Sequence, residues 1–266
     1  MERLAKTFAA TAERSETALV AYLTCGYPAG AEMAGLITSV ADAGADIVEL
    51  GVPFSDPMGD GPVIQHTAAH ALAAGMTLPG VIETVREVRE NGVDTPIVLM
   101  GYSNPFLRYG LTTLYADVAA AGADGLVVPD LPAYEAGDWI KCATESDLAQ
   151  VFFAAPTSRP ERLERTVAAS SGFLYALATN GVTGSRAELN PAIGQYLDGV
   201  AAIAGTLPVC VGFGISRPEH VRSLHGRAAG VIVGSALMQR LDDARTASAR
   251  EDMASGFIRE LKGACR

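Results

Sequence analysis

The chain has 266 residues, 49% hydrophobic and 19% charged, enough for a full buried core and within the range a single α/β barrel occupies. Its formal charge of −10 argues against nucleic-acid or anionic-membrane binding, which require clustered Lys and Arg. Four cysteines without metal-ligand spacing (Cys25, Cys142, Cys210, Cys265), no apolar leader and no membrane-length apolar run predict a soluble chain in a reducing cytoplasm.

Residues 2–14 carry Leu4, Ala5, Phe8, Ala9 and Ala12 on one helical face, which predicts a helix plugging the N-terminal end of the fold. Short apolar or β-branched runs then recur at 18–24, 46–51, 96–101, 125–129, 150–155, 173–178, 208–212 and 230–234. Between them lie patterned helices near 31–44, 62–73, 77–91, 111–122, 133–146, 159–170, 190–205 and 217–226, with a last one near 243–263. Nearly continuous apolar strands, each followed by a helix, imply a parallel sheet buried on both faces. Repeated without a composition break, they predict one (β/α)8 TIM-barrel domain over 1–266. Two additions stand out: the N-terminal helix, and an extra helix after the second strand, where 62–91 offers two helices separated by the Gly75–Pro79 region.

In such a barrel the active site forms where the strands end. Glu49 ends the second strand, inside an apolar stretch where a charge is costly unless paired or used. Asp60 follows in a loop stiffened by Pro53, Pro57 and Pro62. Two carboxylates in different surroundings can serve as acid and base. A strand-end Glu capping a turn, with an Asp opening the helix at Pro62, is the structural alternative. Gly184, Gly212, Gly214, Gly234 and Ser235 fall in the loops after strands six, seven and eight. There, backbone N–H groups and a helix N-terminus can cradle a phosphate. Other candidates are weaker. His66 and His70 stand four apart on a helix but lack a third ligand, His220 and His225 lie away from the mouth, and Cys25, Cys210 and Trp139 read as packing residues.

The segment VELGVPFSDPMGDGPVIQ (48–65) resembles the signature of the tryptophan synthase alpha subunit family. YLTCGYP (22–28), MGYSNP (100–105), GLVVPDLP (125–132), GVTG (181–184), GFGIS (212–216) and GVIVGSAL (230–237) follow in the family's order, so the likeness spans the chain. The resemblance implies a lyase that cleaves indole-3-glycerol phosphate by a retro-aldol reaction to indole and glyceraldehyde 3-phosphate. It implies that Glu49 and Asp60 are catalytic and that Tyr175 and Thr183 orient them. It matches Tyr22, Ile64, Met100, Val127 and Phe213 to the indole sandwich, and Gly184, Gly212, Gly214, Gly234 and Ser235 to the phosphate cradle.

By the same resemblance the chain works in an αββα heterotetramer, with Asp56, Pro57, Asn104 and Pro132 facing the beta subunit. No cofactor or metal is implied in this chain, pyridoxal phosphate belonging to the partner. The sequence departs from the family at Ala178-Thr179-Asn180, where many members carry Ser at 178 and often a basic residue at 179, and at Cys25 and Gly59, each a common Ala. A stand-alone lyase releasing free indole is the alternative reading. A non-catalytic activating subunit is disfavoured by the intact Glu49 and Asp60. An isomerase or synthase barrel is disfavoured because the candidate strands carry no Lys.

Overall fold

β-branched and aliphatic runs bury completely where both faces of a strand are covered, as in β1 (Ala18–Thr24), β2 (Ile47–Gly51), β3 (Ile97–Met100) and β4 (Gly125–Val127). The computed structural model describes residues 1–178, 193–212 and 214–266. Beyond β4 come β5 (Ala149–Val151), β6 (Phe153–Ala154), β7 (Leu174–Leu177), β8 (Val209–Gly212) and β9 (Gly230–Val233). Every pairing among the described residues is parallel, in the order β5-β4-β3-β2-β1-β9-β8-β7-β6. The two ends of that order, β5 and β6, are consecutive in the chain, so the sheet closes into the expected TIM barrel.

The run expected as one strand at 150–155 is split at Phe152. Its first half pairs with β4 and its second with β7, while the Phe152 carbonyl accepts the Tyr175 N–H at 3.0 Å. Barrel closure staggers neighbouring strands, so the two halves of a short strand meet different neighbours.

The helices are α1 (Glu2–Glu13), α2 (Met33–Asp42), α3 (Pro62–Ala73), α4 (Leu78–Glu90), α5 (Ser103–Tyr109), α6 (Leu111–Ala121), α7 (Gly137–Glu145), α8 (Pro160–Ala169), α9 (Ile193–Ala204), α10 (Pro218–Leu224), α11 (Ser235–Asp242) and α12 (Ala247–Lys262). Helix α1 buries Leu4 and Phe8, and Phe8 meets Phe173 at the start of β7 with ring centroids 6.1 Å apart, which is the expected plug. The doubled helix after β2 is present as α3 and α4. Thr77 caps α4 by accepting the Gly80 N–H, and Pro79 sits in its first turn, where no intrahelical donor is needed.

Two helices depart from the sequence expectation. Helix α5 opens directly after β3, and α11 directly after β9; each is too short for its periodicity to register. Among the described residues, extra helices therefore follow three strands and not one. The expected helices at 31–44 and 133–146 each begin as a 3-10 turn, at Gly30–Glu32 and Ala133–Glu135. The last helix starts at Ala247, because the Thr246 hydroxyl accepts the Ala249 N–H and caps it there.

One buried carboxylate and one half-buried one brace the barrel below the site. Asp124, just before β4, accepts from Arg89 Nη2 at 2.9 Å, Arg3 Nη1 at 3.2 Å and the Ile97 N–H at 2.9 Å. Asp46, just before β2, accepts both Lys262 Nζ (2.7 and 2.9 Å) and the Leu19 N–H (2.7 Å), which pins α12 to the first strands.

Candidate active site

Strand β2 carries Glu49 between Tyr22 of β1 and Val98 of β3. The carboxyl is wholly buried, and neither oxygen has a hydrogen-bond partner among the described residues. An acid with no stabilising donor resists ionisation. Burial, and secondarily the charge of Asp60, push Glu49 up to about 8. At neutral pH it therefore holds a proton that it can give away.

Asp60 sits in the loop between β2 and α3, held differently. Its N–H donates to the Pro57 carbonyl at 3.0 Å, and its own carbonyl accepts from Gln65 Nε2 at 2.8 Å. The Tyr102 hydroxyl donates to Asp60 Oδ2 at 3.0 Å and accepts the Gly59 N–H at 3.0 Å. Burial raises Asp60 to about 6, and the Tyr102 hydrogen bond opposes that rise by favouring the charged form. The environments thus separate the two carboxyls, one protonated and one ionised near pH 7.

Two tyrosines close around this pair. A Cβ on Gly51 would run into the Tyr22 hydroxyl, and one on Gly212 would run into the Tyr175 hydroxyl. The bare backbone of each glycine thus admits the neighbouring ring. Burial raises both phenols well above their usual range; next come the charge of Asp60 for Tyr22 and that of Glu49 for Tyr175. Both therefore remain hydrogen-bond donors. Tyr175 also lies against Phe153, with ring centroids 4.6 Å apart. Cys210 on β8 is buried and held in its thiol form by burial and by Glu49.

The apolar candidates Ile64, Met100 and Val127 are all buried, on α3 and at the ends of β3 and β4; the strand register sets Met100 beside both Gly51 and Val127. Gly212 ends β8, and Gly214 adopts φ +99°, a left-handed conformation that glycine tolerates. Gly234 caps α11, its carbonyl accepting from Leu237 and Met238, and Ser235 is the first helical residue. The first-turn amides of Ser235 and Ala236 have no acceptor within their own helix and lie at its positive end. Thr183, Gly184 and Phe213 lie outside the described residues, as do Thr179 and Asn180.

Asp56 and Asn104 are exposed, Pro132 is half-buried and Pro57 is buried. Around them three large apolar side chains face solvent on successive loops: Met58 (79% exposed) after β2, Leu107 (55%) on α5 and Tyr134 (67%) after β4. His66 and His70 are exposed and set edge-on to Tyr27. No group of three or more metal-ligating side chains occurs among the described residues. Trp139 is buried against Phe106. Sequence reasoning missed Tyr102 as a partner of Asp60, although it lies within the MGYSNP motif just past the end of β3.

A family model described as "Tryptophan synthase alpha chain" matches residues 8–265. Tryptophan synthase alpha chains from Roseiflexus castenholzii and Solibacter usitatus are 47% and 42% identical, covering 99% and 98% of this chain and 100% and 97% of their own. Among solved structures, a chain of Mycobacterium tuberculosis tryptophan synthase is 36% identical with a TM-score of 0.91, covering 99% of this chain and 98% of that one. Tryptophan synthase subunit alpha from Legionella pneumophila is 32% identical with a TM-score of 0.90, covering 99% of this chain and 98% of its own. With the barrel, the carboxyl pair at its mouth and this likeness along its whole length, the chain belongs to the tryptophan synthase alpha chain family.

Proposed function

We propose that Glu49 and Asp60 divide between them the carbon–carbon lyase reaction of this family, the retro-aldol cleavage of indole-3-glycerol phosphate to indole and glyceraldehyde 3-phosphate. The carrying observation is that Glu49 is buried without a hydrogen-bond partner among the described residues while its neighbour Asp60 is held by a donated hydrogen bond. Glu49 delivers its proton to indole C3, and positive charge develops at the ring nitrogen. Asp60, ionised, accepts the indole N–H and stabilises that charge. The Glu49 carboxylate then takes the proton of the glycerol hydroxyl next to the scissile bond. That bond breaks, its electrons return to the indole ring, and the hydroxyl carbon becomes the aldehyde. Glu49 ends protonated, ready for the next turnover.

Tyr175, beside Gly212, limits the swing of Glu49. Tyr22, Ile64, Met100 and Val127, with Phe213, sandwich the indole. Gly234 and the first turn of α11 with Ser235, together with Gly184, Gly212 and Gly214, hold the phosphate by backbone amides and a hydroxyl. The family resemblance assigns Thr183 an orienting role for the catalytic pair.

The exposed Met58, Leu107 and Tyr134 around Asp56, Pro57, Asn104 and Pro132 support docking of a beta subunit on the loops after β2, β3 and β4, in an αββα assembly. Pyridoxal phosphate belongs to that partner. The absence of any helix long and apolar enough to cross a membrane, among the described residues, is compatible with a cytoplasmic enzyme. Indole release from indole-3-glycerol phosphate, measured with and without a beta subunit, tests the reading. The expected result is slow turnover alone, a rise on adding the partner, and loss in Glu49→Gln. High activity alone with no rise would refute the alpha-subunit role, and an active Glu49→Gln would refute the catalytic assignment.

A further inference from the structure

We propose that Tyr102 is the positioning residue of Asp60 and joins that carboxylate to helix α5 on the partner-facing rim. The inference rests on the reading of Asp60 as the charge-holding carboxylate. Tyr102 is buried between β3 and α5, and its ring lies against Phe54 of the loop after β2, with centroids 5.5 Å apart. A tyrosine hydroxyl has one proton. Because the oxygen accepts the Gly59 N–H, the proton is directed at Asp60 Oδ2, and the two hydrogen bonds reinforce each other. One side chain thus fixes both the carboxylate and the backbone one residue before it.

The same residue is the N-cap of α5. Ser103, next in the chain, donates its N–H (2.8 Å) and hydroxyl (2.7 Å) to the Asp130 carboxylate on the loop after β4. Asn104 follows and is exposed, as is Leu107 one turn on. Displacing α5 therefore displaces the Tyr102 hydroxyl, and with it the orientation of Asp60. The other titratable groups facing Asp60 are Glu49 of β2, Tyr22 of β1 and Tyr175 of β7, and Asp130 adds its charge at Tyr102.

The test uses the full chain with and without a beta subunit. Tyr102→Phe keeps the ring against Phe54 and removes the proton that favours charged Asp60. The acid limb of kcat/KM is expected to move up by about half a pH unit or more. The expected fall in kcat is about tenfold with KM nearly unchanged, because the Asp60 contact strengthens in the transition state. Activation by the beta subunit should also shrink.

3-Fluorotyrosine placed at position 102 is a stronger donor of the same shape, so the acid limb should move to lower pH. That arm stands even if Tyr102→Phe fails to fold, as checked by circular dichroism. A wild-type pH profile in the fluorotyrosine protein, or in folded Tyr102→Phe, would overturn the proposal. Asp60→Asn separates the two levels of the argument. If it remains active, the reading of the site itself fails. If it is inactive while the Tyr102 proteins match wild type, only the positioning role fails.

Discussion

Replacing Glu49 by Gln removes the titratable proton of a wholly buried carboxyl, and its effect on stability must depend on pH. The group titrates at an ordinary 4.5 in the unfolded chain and at about 8 in the barrel, where burial is the larger cause and Asp60 the smaller. A carboxyl whose pKa rises on folding contributes stability in full below its unfolded value and loses it as pH rises through the folded one. Wild type should therefore lose about 1.4 kcal/mol per pH unit relative to Glu49→Gln across that window. The difference reaches about 3 kcal/mol at pH 7 and levels off near about 5 kcal/mol above pH 8. Any cost of burying the amide is the same at every pH, and Asp60 is present in both proteins, so the slope isolates Glu49. Urea unfolding followed by far-UV circular dichroism at several pH values measures it. A difference in unfolding free energy that stays flat between about pH 5 and pH 8 would refute the raised Glu49.

Catalysis should follow the same pair. The kcat/KM profile is expected to be bell-shaped, falling below about 6 as Asp60 takes up a proton and above about 8 as Glu49 loses one; steady-state indole release across pH checks it. Gly51→Ala should push the Tyr22 ring out of place and lower kcat/KM by about tenfold or more, a loss that Tyr22→Leu in the same chain partly restores. Asp124→Ala strands Arg89 below the barrel without its buried carboxylate and is expected to cost about 3–5 kcal/mol in urea unfolding, with the lyase chemistry intact in the folded fraction.

The strands and the mouth were legible because both rest on local patterns. Runs such as ALVAYLT and GVIV bury every residue, and parallel strands with helical crossovers send all their C-terminal ends the same way. Glu49 could be found because a charge inside an apolar strand is conspicuous. Tyr102 could not, since its hydrogen bond to Asp60 spans 42 residues and an ordinary Tyr after a strand carries no local signal. The bracing of Asp124 by Arg3 was hidden for the same reason, its partners lying 121 residues apart. Helices α5 and α11 have seven and eight residues, too short for two full turns of apolar periodicity to stand out from a loop. The division of Phe152 from its neighbours depends on barrel stagger, which no single strand encodes.

The split at Phe152 also governs how other chains can approach. An open sheet ends in two rows of unpaired backbone groups that invite a foreign strand. Here the two outermost strands are joined through a single residue, and Gln150 of β5 is further tied across the seam, its N–H to Ser171 Oγ at 2.9 Å and its carbonyl to the Ser171 N–H at 3.0 Å. Among the described residues, the sheet therefore leaves little free edge for strand addition. Recognition of this molecule by another protein has to run through loop tips and helix flanks, the parts that can carry Met58, Leu107 and Tyr134 into solvent without exposing a template for aggregation.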